Sequence, residues 1–386
     1  MRILVFSNFY YPEKLSSGYI KNVHHLSTML ADRGHSVLVL CCGRTKQLKK
    51  ERVDDVVVWR TPAWSWGFLN NSFPIPNPRS IFRAWKELKK EPVDIVSTQT
   101  RLFPISWIGF MFAKFNYLPL VHTERGSRLI ATDCWWLAMV GWLIDNTLGR
   151  LIFSKAEAVV GVSEAVCDFA LKMGAKNPVK IKNGVVMNFW DLRDNRPNRE
   201  NFVLTYVGRL IYAKGIQDLL QAVALLDKKA NFPPLFLNIV GGGVYKEKLQ
   251  ELAKNLKIEA RVRFLGELDD SKIKKVFNET DVFVNPSYSE GFPTSVLEAG
   301  VAGLPVVATD VGGTREIIVS SEHGFLIKPR AVTELCVAIK ALADDHDLGL
   351  KMGGKIKDHI SQSFTWSRVV DSYSQLFTNV SKKCIY

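Results

Sequence analysis

Cysteine is scarce and unpatterned in this 386-residue chain: Cys41, Cys42, Cys134, Cys167, Cys336 and Cys384 include no C-x-x-C pair and no histidine at zinc-finger spacing. That excludes the usual structural zinc sites and predicts reduced, mostly buried thiols, as in a cytosolic protein. Long apolar runs are also missing. None reaches the ~18 residues a transmembrane helix needs, and the nearest approach, Cys134–Ile144, is closed by Asp145 and Asn146. The opening Met1-Arg2-Ile3-Leu4-Val5-Phe6-Ser7 is apolar but too short for a signal peptide, and it predicts a first buried strand. There is no short-period repeat, no low-complexity tract and no helix-turn-helix, zinc-finger or aromatic RNA-binding signature, so nucleic acid is not an expected partner. Gly241-Gly242-Gly243 follows a predicted strand and could face a nucleotide, but it is no G-x-G-x-x-G, and no cofactor is expected. Asp345-His346-Asp347 spells an acid-x-acid pattern between predicted helices with no strand before it. It reads as an exposed charge cluster, and no metal is expected there.

Acidic residues are in deficit, and unevenly so. The net charge is +13, and residues 1–187 carry 25 Lys and Arg against 14 Asp and Glu. Eight of the ten Trp lie in the same stretch: Trp59, Trp64, Trp66, Trp85, Trp107, Trp135, Trp136 and Trp142. Basic charge with interleaved Trp suits a peripheral protein meeting an anionic membrane surface. The bland alternative is a basic protein whose Trp are core.

Strand and helix patterns alternate along the whole chain. Short apolar strands fit Ile3–Ser7, Ser36–Cys41, Val56–Arg60, Asp94–Thr98, Leu120–Thr123 and Ala158–Val162. After the first of them, Val23, Leu26 and Leu30 mark a helix face, and Gly34 closes that helix. A polar stretch, Asp191–Glu200, reads as a linker. A second series follows at Phe202–Val207, Leu235–Val240, Val262–Leu265, Asp281–Asn285, Val306–Ala308 and Gly324–Ile327. The expectation is an α/β protein of two doubly wound domains with an interdomain cleft: residues 1–187, a linker 188–200, residues 201–364, and a last helix 365–386. In such sheets ligands sit beyond the carboxyl ends of the strands.

Two of those ends carry charged motifs. After Phe202–Val207 comes Gly208-Arg209-Leu210-Ile211-Tyr212-Ala213-Lys214-Gly215, where Arg209 and Lys214 could stabilise a departing diphosphate without a metal. Two solvated surface cations are the plain alternative. After Asp281–Asn285 comes Ser289-Glu290-Gly291-Phe292-Pro293-Thr294-Ser295-Val296-Leu297-Glu298-Ala299. Glu290 is placed on the loop, and Glu298 inside a helix spanning about Pro293–Gly303 whose first amides offer an anion site. A carboxylate beside such amides suits sugar hydroxyls next to a phosphate.

These motifs, with Gly303-Leu304-Pro305-Val306-Val307-Ala308, Gly312-Gly313 and the closing Phe364-Thr365-Trp366, resemble the retaining GT-B glycosyltransferases, specifically glycosyltransferase family 4. The resemblance covers almost the whole chain. It implies that Arg209 and Lys214 bind the donor diphosphate, that Glu298 meets the ribose hydroxyls, and that Glu290 with the amides of Gly291, Phe292 and Thr294 beside Pro293 holds the donor sugar. It implies two Rossmann-like domains, a last helix crossing back to the first domain, and a donor loop after the first strand. Here that loop reads Ser16-Ser17-Gly18, with Ser17 where members commonly have a glycine, and Val186 stands where they often have Asp. Gly18, Gly208 and Gly241 are the expected donor-facing glycines. His122 ends a strand where the family commonly has a sugar-contacting histidine, so His122, Arg209, Lys214 and Glu290 form the expected catalytic set. Arg125 and Arg128 could grip an acceptor phosphate, while Glu124 suits either an acid–base role or a salt bridge with a nearby Arg.

The resemblance implies a retaining, metal-independent transfer of a hexose from a nucleotide-diphosphate sugar (UDP-sugar or GDP-mannose), and the charge and Trp asymmetry points to a lipid-linked or glycolipid acceptor, in cell-envelope glycan or polysaccharide biosynthesis. It would occur on the cytosolic membrane face. A nucleotide-sugar epimerase and a non-enzymatic nucleotide-sugar-binding subunit are the rival readings, and the oligomeric state is left open.

Overall fold

The structure, a computed structural model, describes residues 1–12, 18–64, 74–129, 135–192, 201–229 and 232–383. Ser16, Ser17, Trp66, Cys134, Cys384 and most of the expected linker lie outside the described residues. The chain divides into two compact units, Met1–Asn183 with Trp366–Tyr386, and Gly184–Thr365.

The first unit is built on strands β1 (Arg2–Ser7), β2 (Ser36–Gly43), β3 (Lys49–Val53), β4 (Val56–Trp64), β5 (Ile75–Pro76), β6 (Ile95–Gln99), β7 (Leu120–Glu124), β8 (Ala158–Gly161) and β9 (Val179–Lys180). Their order is β3-β4-β2-β1-β6-β7-β8-β9, with β5 paired to β4. Alternate residues serve opposite faces, as strand geometry requires. Ile3, Val5, Val37, Val39, Ile95 and Val121 enter one core, and Leu4, Phe6, Leu38, Leu40, Val96 and Leu120 enter the other. Each such burial is worth about 1.5–3 kcal/mol, and together they hold helices on both faces. The final helix, Trp366–Lys383, supplies Trp366, Val369, Val370, Tyr373, Phe377 and Val380 to the first of these cores.

The expected run of parallel strands is corrected at one edge. β3 pairs antiparallel with β4 through a turn at Asp54, whose φ is 51°. Its sequence, Lys-Lys-Glu-Arg-Val, lacks the apolar alternation that would have marked it, because an edge strand faces water and its charges discourage further pairing.

The second unit has six parallel strands: β10 (Phe202–Val207), β11 (Leu235–Val240), β12 (Val262–Gly266), β13 (Val282–Asn285), β14 (Val306–Thr309) and β15 (Phe325–Ile327), ordered β12-β11-β10-β13-β14-β15. The chain builds outward from β10 through β11 and β12, then returns to place β13 on the other side of β10. That makes the β10/β13 junction the topological switch point. The short helix Met187–Trp190 belongs to this unit rather than to a linker, because its Trp190 is buried 5.6 Å from the Phe277 ring. Four described cysteines, Cys41, Cys42, Cys167 and Cys336, are buried and outside any disulfide.

Two helices of the second unit approach closely through glycine. A Cβ on Gly353, in the helix His346–Ser363, would stand 2.0 Å from the Gly303 carbonyl oxygen just after the helix Thr294–Val301. Backbone cannot yield as a side chain can. Gly353→Ala is therefore expected to destabilise this unit by about 1–3 kcal/mol, read as a fall of several degrees in melting temperature. An unchanged melting curve would contradict the packing described.

Candidate active site

At the switch point the loops leaving β10 and β13 meet. Lys214 Nζ lies 2.6 Å from Glu290 Oε1, in a pair whose side chains are only 18% and 10% exposed. Ser287 Oγ stands 2.7 Å from the same Glu290 oxygen and 2.7 Å from Asn285 Oδ1, while Asn285 Nδ2 is 3.5 Å from Glu290 Oε1. Two glycines allow the backbones to come this close. Gly215 has φ 64°, and a Cβ there would lie 2.0 Å from the Pro286 carbonyl oxygen. Gly312 has φ 57°, and its Cβ would lie 1.9 Å from the carbonyl oxygen of Glu290. The neighbouring Gly313 amide donates to the Gly291 carbonyl at 2.9 Å, fixing the Glu290–Gly291 turn from the β14 side.

The expected donor residues take distinct positions around this pair. Arg209 is exposed directly beyond β10, and its carbonyl accepts from the buried Tyr206 hydroxyl at 3.1 Å. The Gly208 amide donates to Val240 O at 3.0 Å, and the Gly241 amide to Gly266 O at 2.7 Å. The glutamate-bearing helix begins at Thr294, not Pro293. Pro293 precedes it with an extended ψ of 101°, and its carbonyl accepts from Val296 N. Glu298, second turn of that helix, is 6% exposed. The Phe292 side chain is buried, with its ring 5.6 Å from Phe364, consistent with the expectation resting on its amide alone. Thus Lys214, Glu290 and the helix carrying Glu298 share one locality, with Arg209 on the adjoining strand exit. Ser287 and Asn285 were not anticipated, although their place at the end of β13 was the available signal.

In the first unit Gly18 opens the helix Gly18–Asp32. His122, expected to face the ligand, lies at the carboxyl end of β7 with its side chain turned into the unit. Its ring is fully buried, with Nδ1 2.9 Å from Thr98 Oγ1, Nε2 3.5 Å from Glu124 Oε2, and Phe153 edge-on at 5.3 Å. The residue that leaves β7 next is Arg125, which is half-buried. It donates to Asn183 Oδ1 at 2.7 Å and to Gln99 Oε1 at 3.4 Å. Arg128 is exposed.

Beneath them Glu124 forms the salt bridge with an Arg that was one of its two expected roles, within a charged network whose other members, Arg101 and Asp145, sequence reading missed. Arg101 follows β6 and is 1% exposed. It pairs with Glu124 at 3.2 Å and with Asp145 at 2.8 Å, and both acids are fully buried. The signal was the strand register: β6 runs beside β7 with Gln99 opposite Thr123, which carries Arg101 toward Glu124. Glu124 Oε1 also accepts from the Arg125 and Gly126 amides at 2.9 and 2.7 Å, while Arg101 donates to the Arg128 carbonyl at 3.0 Å. The network therefore clamps residues 125–128 at both ends. Burial alone would raise the Glu124 carboxyl, but the Arg101 guanidinium, His122 and the Gly126 amide outweigh it and hold it at about 2. Arg101 is shifted the opposite way, upward, because the two carboxylates overcome its own desolvation. Among the described residues no cluster of three or more His, Cys, Asp or Glu could hold a metal ion, and no helix is long and apolar enough to cross a membrane.

The matched family models divide the chain in the same two parts. A "Glycosyltransferase Family 4" model matches residues 20–189, and a "Glycosyl transferases group 1" model matches residues 189–359. An uncharacterized glycosyltransferase of Methanocaldococcus jannaschii is 28% identical over 98% of both chains. Another, of Haemophilus influenzae, is 31% identical over 79% of this chain and 83% of its own. The HepE protein of Anabaena, solved with UDP and glucose, superposes with a TM-score of 0.77 at 19% identity, over 98% of this chain and 100% of its own. The chain belongs to the group 1/family 4 glycosyltransferases, and its two Rossmann-like α/β units match GT-B structures.

Because Glu124 titrates below its ordinary 4.5 in the folded chain, its charge stabilises the fold above that pH, and the contribution is lost as pH falls toward 2. Arg101→Met should reverse the sign. Burying Glu124 without its guanidinium would cost about 3–5 kcal/mol near neutral pH, and the loss should shrink at about pH 5 as that carboxylate takes up protons. Denaturant titrations at the two pH values check this, and an equal loss at both would contradict it.

Proposed function

We propose that this glycosyltransferase moves a sugar from a nucleotide-diphosphate donor, with retention and without a metal, to a hydroxyl of a membrane-associated glycan or glycolipid. The observation that carries the reading is the Lys214–Glu290 pair at the β10/β13 switch point, beside the helix that buries Glu298. Phosphate charge developing on the leaving group would draw the Lys214 ammonium, and the exposed Arg209 fork would add a second cation. As the diphosphate engages Lys214, Glu290 and the amides after it are placed to hold the sugar, with Glu298 on the ribose. The donor then belongs to the second unit. The acceptor belongs to the basic first unit, with Arg128 as the exposed cation of the clamped loop. The UDP-bound structure of HepE supports a uridine donor, and GDP-mannose is the competitor to screen beside it.

Melting-temperature shifts with UDP and GDP, followed by a donor panel, test the reading. Stabilisation by neither nucleotide would overturn it. Arg209→Ala should lower kcat by about 10²–10³-fold with the fold intact, because the side chain is exposed. Near-normal kcat would remove its role. Glu298→Ala should chiefly weaken nucleotide binding in calorimetry, and unchanged affinity would count against the ribose contact.

A further inference from the structure

Cations and exposed rings are densest, among the described residues of the first unit, on one helix face. On the helix Pro78–Leu88, Phe82 is 61% exposed between Arg79, Arg83 and Lys86, and the Lys86 ammonium stands 4.6 Å over its ring. Asn77 caps the helix by accepting from the Arg79 and Ser80 amides at 3.0 and 3.2 Å, so the exposed face is presented by a well-formed start. Trp85 joins this helix to the next: its ring is 4.9 Å from Phe112 and 6.2 Å from Phe115 of Pro104–Phe115. Where that second helix ends, Phe115 is 64% exposed and Tyr117 96% exposed. Between the two helices runs an open groove of about 440 Å³, lined among the described residues by Pro76, Pro78, Ile81, Phe82, Trp85 and Ile108.

We propose that this face is the surface on which the protein lies against an anionic bilayer: Arg79, Arg83 and Lys86 meet lipid phosphates, and Phe82 and Phe115 enter the acyl boundary. The assignment rests on the membrane-acceptor reading above and names its contact surface. Charge complementarity selects the bilayer. A neutral protein partner would leave the cations unmatched, and nucleic acid would leave the exposed rings and the apolar groove in water. A second apolar face, at Met139, Trp142 and Leu143, is 55–58% exposed, but its nearest cations in sequence, Arg128, Arg150 and Lys155, lie 7 or more residues away and none is on the same helix Trp135–Ile144.

Flotation of the full chain with vesicles of phosphatidylcholine, alone or with phosphatidylserine, tests this. The wild type should favour the anionic vesicles. Arg79→Glu/Arg83→Glu should lower that partitioning more than about tenfold, and Phe82→Ser should lower it less steeply. Trp142→Ser should leave it near wild type. UDP-induced melting shifts, unchanged in all three, show that the variants fold. If the wild type floats but Arg79→Glu/Arg83→Glu floats equally well, or if only Trp142→Ser fails, the face is wrong while the membrane reading stands. If the wild type ignores lipid charge, both fall. If a short RNA strips the protein from anionic vesicles and binds through the same arginines, the surface serves nucleic acid and the proposal is overturned.

Discussion

An ammonium and a carboxylate 2.6 Å apart, both largely withdrawn from water, set the geometry of the second unit's strand ends. Lys214 and Glu290 come from loops 76 residues apart in sequence, and neither loop could take its course independently. Withdrawing two charges from solvent is costly unless they stay paired and hydrogen-bonded. Ser287 and Asn285 supply part of that bonding, and the glycine at 215 lets the first loop press on the second. A ligand phosphate arriving here would compete with Glu290 for a cation already in place. Recognition would then exchange one anion for another on Lys214, keeping its ammonium paired in both states, with Ser287 still beside the Glu290 carboxylate.

The first unit applies the same logic deeper inside. Arg101 with Glu124 and Asp145 is a buried triad, and its spare hydrogen-bonding capacity is spent on main chain: the Arg125 and Gly126 amides and the Arg128 carbonyl. A loop fixed by charge-assisted bonds to its backbone can present any side chain without losing its path. The trace of residues 125–128 is therefore decoupled from what Arg128 meets.

What the sequence disclosed followed from periodicity. Phe202–Val207 and Leu235–Val240 read correctly to the residue, because continuous apolar runs between helices admit little else. The glutamates eight apart were legible as a loop and a helix position. The rest depended on which strands are neighbours. Thr98 opposite His122 turns that histidine inward, and no local pattern reveals the pairing. Asp145 lies 44 residues from Arg101 and sits in a π-helical turn, Asp145–Gly149, that propensity does not forecast. The charged β3 was hidden because its stability comes from its partner strand and not from its own composition.

The chain leaves the first unit at Asn183 and re-enters it at Trp366. Six of that unit's core side chains, from Trp366 to Val380, are therefore the last to emerge during synthesis. Until they arrive, the sheet face holding Val5, Val39 and Val121 remains partly uncovered, however early its strands have paired. The second unit is contiguous and has no such wait, so it is the one able to mature first on the ribosome, with the amino-terminal half sealed by the carboxyl-terminal tail.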